Sequence, residues 1–256
     1  MRKILTYLAY LYDYLKHGDL TSVYASINYI FNKKSHQKDR VIITSAGTFF
    51  CRKNTNDFQF ANYYYEWTVR KFFVNHHKEF SVFIDGGSCI GNYSVLMSGL
   101  GLRCIAFEPM SSNYDVLRKN LELNNLQQKV MALPYGLGSE NTTLSFAFDT
   151  VNTGASHRIR ISSNNVQQVE IRTFDSLLPE LSLALTEKIL FKLDVEGMES
   201  EAIQGAAQFI KTYPNLTFVI EDKHSGEIRI KEELLKICKF EFGVVDEFNI
   251  YARKVN

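Results

Sequence analysis

The sequence predicts an α/β protein with a doubly wound, mostly parallel sheet and an N-terminal helical extension. Three observations carry that reading. From residue 82 onward, apolar runs of strand length alternate with segments of helical period, as in a parallel sheet covered on both faces. A glycine-rich turn follows the first of these runs and opens a helix, in "VFIDGGSCIGNYS" at 82–94. The first 40 residues carry helical periodicity and no strand signal.

In the extension, Ile4, Leu8, Leu11 and Leu15 recur at helical spacing, with Tyr7, Tyr10 and Tyr14 on a neighbouring face. A second helix is expected over about 20–32, and "NKKSHQKDR" reads as a polar loop. "VIITSAGTFFCRK" reads as a hairpin around Ser-Ala-Gly, and "FANYYYEWTVRKFFVNHHKEF" as one helical segment leading into the core. VFID is then a strand, NYSVLMSGL a helix and CIAF a strand. Ser112 to Asn124 is a helix, with Ser112 and Asp115 at capping-box spacing. VMALPYGL is a strand, and LSFAFD and VEIRTF form an inserted hairpin region. ILFKLD is a strand, Met198 to Lys211 a helix, TFVIED a strand and IKEELLKICKF a helix. FGVVDEF and NIYARK close the chain as an antiparallel pair. The expected divisions are 1–40 (helical extension), 41–80 (hairpin and helix) and 81–256 (ligand-binding core).

Composition bounds the function. Of 256 residues, 45% are hydrophobic and 22% charged, which is ordinary for a globular protein. No apolar run approaches the roughly 18–20 residues that span a bilayer. The N-terminus has the look of a signal peptide, but Asp13 and Lys16 interrupt it and no small-residue cleavage site follows. It is read as a helix of the mature protein, and the cytoplasm is the expected location. The net charge of +1 hides an asymmetry: residues 1–80 carry 12 Lys+Arg against 6 Asp+Glu. Nucleic-acid enzymes are more often basic overall, so no nucleic-acid partner is expected. The basic, Tyr-rich helices are candidates for peripheral membrane contact or for a homodimer interface. The four cysteines, Cys51, Cys89, Cys104 and Cys238, show no CxxC spacing and no disulfide framework.

The glycine turn has the wrong spacing for a dinucleotide fingerprint and lacks the Gly-Lys-Ser/Thr of a phosphate loop. Asp85 at its mouth would repel a pyrophosphate. The ammonium and sulfonium of S-adenosylmethionine (SAM) both favour a carboxylate. Glu108, ending the next strand in "CIAFEP", is placed to accept both ribose hydroxyls.

With these residues in place, the chain resembles the FkbM family of SAM-dependent methyltransferases. The resemblance rests on "FIDGGSCIGNYS", "AFEPMSSN", "GLGSENTTLSF", "NTGAS", "TFDSLL" and "FKLDVEGMESEAIQGA", in that order over about residues 40–222. The family pattern reads D-x-G-A-N-x-G, F-E-P-x-x-x-N and K-I-D-V-E-G-x-E. The resemblance implies a class I methyltransferase fold with a seven-stranded sheet, and O-methylation of a sugar or secondary-metabolite hydroxyl. The expected cofactor set is Asp85, Gly86, Gly87, Ser88, Gly91, Glu108, Pro109, Leu137 and Asp194. Gly86 departs from the pattern, standing where an apolar residue is usual. Ser88 and Cys89 replace Ala-Asn.

A second acidic group follows two strands: Asp194, Glu196 and Glu199, then Glu221, Asp222 and His224. Three readings are open. Asp194 or Glu196 is a general base for the acceptor hydroxyl, with His224 another candidate. Alternatively Asp194, Glu221 and Asp222 hold a divalent metal, a reading less favoured than the metal-free one. In the third, the acids are structural, capping a helix or pairing with Lys192. Glu199 is expected to be structural, and His76 and His77 to be surface residues. Asn152 and Gly154 match a family motif in the inserted region, where His157, Arg158 and Arg160 either meet the acceptor or form a solvated face. The rival functions are an NAD-dependent oxidoreductase and a non-catalytic scaffold on the same fold.

Overall fold

The structure, a computed structural model, describes residues 2–32, 34–154, 157–158 and 165–255, with backbone alone at 2–4 and 157–158. Helices α1 (Arg2–Lys16) and α2 (Leu20–Asn32) lead into an antiparallel hairpin, β1 (Arg40–Thr44) and β2 (Gly47–Cys51). Helices α3 (Asp57–Ala61) and α4 (Trp67–His76) follow. The single helical segment expected here is broken at 62–66. The buried Arg70 guanidinium takes the Phe60 and Asn62 carbonyls (2.7 Å each), and Asp13 takes the Tyr63 N–H (2.8 Å). Backbone groups claimed by side chains are not free to continue the helix.

The core then runs β3 (Val82–Gly86), α5 (Asn92–Gly99), β4 (Arg103–Phe107), α6 (Ser111–Leu123) and β5 (Val130–Leu133). An inserted sheet comprises β6 (Gly136–Leu137), β7 (Thr142–Ala147), β8 (His157–Arg158) and β9 (Val166–Arg172). The chain continues with α7 (Phe174–Leu181), β10 (Ile189–Leu193), α8 (Glu199–Gln204), α9 (Ala207–Thr212), β11 (Leu216–Glu221) and α10 (Glu227–Ile237). It ends with β12 (Phe240–Val244) and β13 (Asn249–Lys254).

The central sheet has seven strands in the order β12-β13-β11-β10-β3-β4-β5. It is parallel from β11 to β5, and β13 runs antiparallel to both of its neighbours. This is the doubly wound, mostly parallel sheet that the sequence predicts. The buried strands alternate between two cores. Val82, Ile84, Ile105 and Phe107 face the Phe174–Phe209 cluster, and Phe83 faces Phe73 and Tyr93. Winding reverses between β3 and β10, which pair with each other, so a crevice opens at their carboxyl ends.

Three local expectations change. VMALPYGL splits at Pro134-Tyr135, and β6 joins the inserted sheet instead of the central one. The helix expected over Met198–Lys211 is two helices. Between them Gly205 packs so closely that a Cβ would overlap the Gly138 carbonyl oxygen. The capping box does not form: α6 begins at Ser111, and the Met110 N–H donates to Glu108 Oε1 (2.9 Å). Among the described residues, no helix is long and apolar enough to cross a membrane.

Candidate functional site

Four adjacent strands end at one crevice. In the order β11, β10, β3, β4, their carboxyl ends place Glu221, Asp194, Gly87 and Glu108 side by side. These residues line a cleft of about 1160 Å³, its open mouth included. Gly87 sets the contact at the middle. Its φ is +87°, and a Cβ would overlap the Asp194 carbonyl oxygen. Only glycine lets the two strand ends approach this closely. Gly86 ends β3, and Gly91 immediately precedes α5.

At one side of the cleft, Glu108 is buried. Its Oε2 accepts the Cys89 N–H (2.8 Å) and its Oε1 the Met110 N–H (2.9 Å). Burial raises its pKa to about 7, against the lowering effect of those amides and Asn113. Each oxygen keeps lone-pair capacity for a further donor. Pro109, Leu137 and Ile171 also line the cleft, giving this side an apolar wall next to the carboxylate.

The loop between is braced from below. Ser88 is buried, and its hydroxyl donates to the Asp85 and Phe107 carbonyls (2.8 and 3.2 Å). Asp85 also lies beneath the cleft lining. Its Oδ2 accepts the Ser94 hydroxyl (2.6 Å), while Oδ1 is buried with no hydrogen-bond partner among the described residues. Burial raises its pKa, and Lys192 opposes the shift. Cys89 sits at φ +50°, a conformation that Asn tolerates and other side chains resist. Burial, then Glu108, pushes the Cys89 thiol up, so it stays protonated.

On the other side, Lys192 donates to Asp194 Oδ2 (2.7 Å). Glu196 follows at φ +51°, a strained position for a non-glycine residue at a cleft. Burial, then Asp194, raises the Glu196 pKa to about 7. Its Oε2 lies 3.2 Å from His224 Nε2. Burial and Asp194 also push the Glu221 carboxyl up, to about 9. Glu196, Glu221 and His224 each bring one metal-capable atom within 4.8 Å of the others. Of the set named from the sequence, Asp194 and Glu221 are brought together and share a hydrogen bond, while Asp222 is not. Asp194 is engaged by Lys192, and Asp222 does not line the cleft. Glu199 accepts the Val195 and Gly197 N–H groups (3.1 and 3.0 Å) and the Ser225 hydroxyl, a structural clamp on the 195–199 turn.

Some lining residues have no forecast in the sequence. Phe60, Tyr65 and Glu66 come from the segment before the core, and Tyr93 donates to Glu66 Oε2 (2.7 Å). One acid within the aromatic run "NYYYEW" is the signal that was there to see. The inserted region contributes Asn152 and Gly154 to the lining. It is pinned by Asn56 to Asn152 (2.7 Å), Thr153 to Asp57 (2.7 Å) and Asn113 to the Thr153 carbonyl (2.9 Å). His157 and Arg158 form β8, which pairs with β7; their side chains and Arg160 lie outside the described residues.

The family model described as "Methyltransferase FkbM domain" matches residues 85–243. The chain belongs to the FkbM methyltransferase family. It is 30% identical over 152 residues to "Methyltransferase sdnD" of Sordaria araneosa, covering 48% of this chain and 59% of that one. The crystal structure of methyltransferase FkbM from Methylobacillus flagellatus KT superposes with TM-score 0.50 at 16% identity, covering 68% of this chain and 44% of that one. This chain thus spans about half the length of these two relatives. The structural likeness concerns the fold: the central sheet is that of a class I methyltransferase.

Proposed function

We propose that this chain is a SAM-dependent O-methyltransferase acting on a hydroxyl of a sugar, a polysaccharide or a secondary metabolite. The observation that carries the reading is the row Glu221, Asp194, Gly87 and Glu108 across four strand ends. Glu108 has acceptor capacity for two ribose hydroxyls, and Pro109, Leu137 and Ile171 offer an apolar slot for adenine. Beyond Gly87, the lining crowds the carboxyls of Glu66, Asp194, Glu196 and Glu221 together with Lys192 and Lys223. Burial and Asp194 hold Glu221, and Glu196 in part, protonated. An arriving cation, unlike a phosphate, would draw those protons off and leave the carboxylates charged. A pyrophosphate would be repelled there, whereas a sulfonium and an ammonium would be attracted. That charge balance favours SAM over NAD.

When bound, SAM supplies an electrophilic methyl group. Glu196 accepts the proton of the acceptor hydroxyl, its pKa poised near neutrality for the task. His224, 3.2 Å away and open to solvent, is placed to pass that proton on. The Lys192–Asp194 ion pair lines the same cleft, its ammonium set against the Asp194 carboxylate. Most of the rate comes from holding methyl and hydroxyl in line. A second reading rests on the 4.8 Å cluster: Glu196, Glu221 and His224 are the groups that would hold a divalent cation.

A thermal-shift panel of SAM, S-adenosylhomocysteine (SAH) and NAD tests the cofactor, since only a ligand of the folded state raises the midpoint. The proposal expects stabilisation by SAM and SAH. Stabilisation by NAD without SAH would defeat it. Tight SAH binding with no turnover on glycan acceptors would favour the scaffold.

A further inference from the structure

Both N-terminal helices carry an apolar stripe that the fold leaves uncovered. On α1, Asp13 and Tyr14 are fully buried, and the opposite side presents Leu5, Leu8, Tyr12 and Leu15, each more than half exposed. On α2, Ser22, Ala25 and Ser26 are buried, and the opposite side presents Leu20, Tyr24, Ile27 and Phe31, the last 79% exposed. Both sets step by three and four residues. That is the a/d rhythm that keeps one side of a helix against a facing helix. The two helices contact each other.

The stripes carry no charge. Between Leu5 and Phe31, the Asp and Lys side chains all bond back to the protein. Asp13 accepts the Ser45 and Tyr63 N–H groups, Lys16 reaches the Ser45 hydroxyl, and Asp19 is held by Ser22 and Arg40.

We infer that this face is a homodimer interface: the α1–α2 pair of one copy packs on that of a second copy about a two-fold axis. Area supports it. The eight side chains expose roughly 1,000 Å², against about 800 Å² per partner in a standard interface. Composition supports it too, because Leu, Tyr and Phe without charge is the make-up of an interface centre. A helix lying in a membrane surface carries Lys and Arg along its polar side. Here α2 has no charged residue, and α1 carries its basic residues, Arg2, Lys3 and Lys16, only at its two ends.

The pair also braces the cleft. Asn62 donates to the Tyr10 carbonyl (3.1 Å) and Tyr14 to the Phe58 carbonyl. These bonds hold the segment that supplies Phe60, Tyr65 and Glu66.

Light scattering on the full chain tests the interface. The wild type should run at twice the chain mass through a wide dilution series. Leu8→Glu/Phe31→Glu, at exposed positions, should run at single-chain mass with an unchanged circular-dichroism spectrum. Should that pair misfold, Tyr24→Arg serves as the variant. A wild type of single-chain mass at all concentrations would overturn the inference, as would a dimer that survives the variants. A single-chain wild type that co-sediments with phosphatidylglycerol vesicles would assign the face to lipid and equally overturn it. None of these readouts depends on the methyltransferase reading.

Discussion

Replacing Glu108 with Gln separates its two roles. The carboxylate is buried and accepts two backbone N–H groups, at 2.8 and 2.9 Å, and its pKa is raised from 4.5 to about 7. A shift of that size corresponds to about 3 kcal/mol of preference for the protonated form. The folded chain holds this proton more tightly than the unfolded chain. The stability contributed is thus fully present below about 4.5 and lost as pH rises through about 7. Gln does not ionise. In urea titrations, the wild type should lose up to about 3 kcal/mol relative to Glu108→Gln between pH 4.5 and 8. Ligand affinity should move the other way. Gln forfeits one acceptor oxygen and the charge, about 1.5–3 kcal/mol for a charge-assisted bond, or roughly 10- to 100-fold in SAH Kd by calorimetry at pH 8. An SAH affinity within about threefold of wild type, against that tenfold minimum, would refute the ribose assignment.

Other expectations are more local. Gly87→Ala should cost about 4 kcal/mol or more, because its Cβ overlaps the Asp194 carbonyl at a left-handed φ; a urea midpoint near wild type would contradict this. Cys89→Asn should relieve left-handed strain at φ +50° by about 1 kcal/mol and raise Tm by about 2–4 °C, and a lower Tm in calorimetry would count against it. Methyl transfer should rise with pH through about 7 as Glu196 ionises, and Glu196→Gln should lower kcat by roughly 10²- to 10⁴-fold and remove that limb. With Glu196 as the base, turnover should survive a chelator; its loss, restored by a divalent cation, would favour the metal reading.

The central sheet was legible because its strands are apolar runs bounded by turn residues, and a strand buried on both faces needs such a run. The ends of those strands were legible for the same reason, and with them Gly87, Glu108, Asp194 and Glu221. What escaped depends on side-chain and backbone contacts that periodicity does not encode. The break at 62–66 is made by Asp13 and Arg70, and the break at Gly205 by the Gly138 backbone. Neither leaves a periodic trace. Glu66 was hidden by the continuous helix that the pattern suggested. Glu196 looked equivalent to Asp194 in "LDVEG", and the difference between them is that Lys192 hydrogen-bonds Asp194 and not Glu196. Cys89 has a backbone explanation: a left-handed φ is where the family pattern carries Asn.

The central claim is that the strand-end row Glu221–Asp194–Gly87–Glu108 is a SAM site. The most direct test is a crystal structure of the chain with SAH. The account predicts ribose hydroxyls on Glu108, adenine against Pro109 and Leu137, and sulfur directed toward Asp194 and Glu196. SAH bound elsewhere, or a ribose turned away from Glu108, would contradict it.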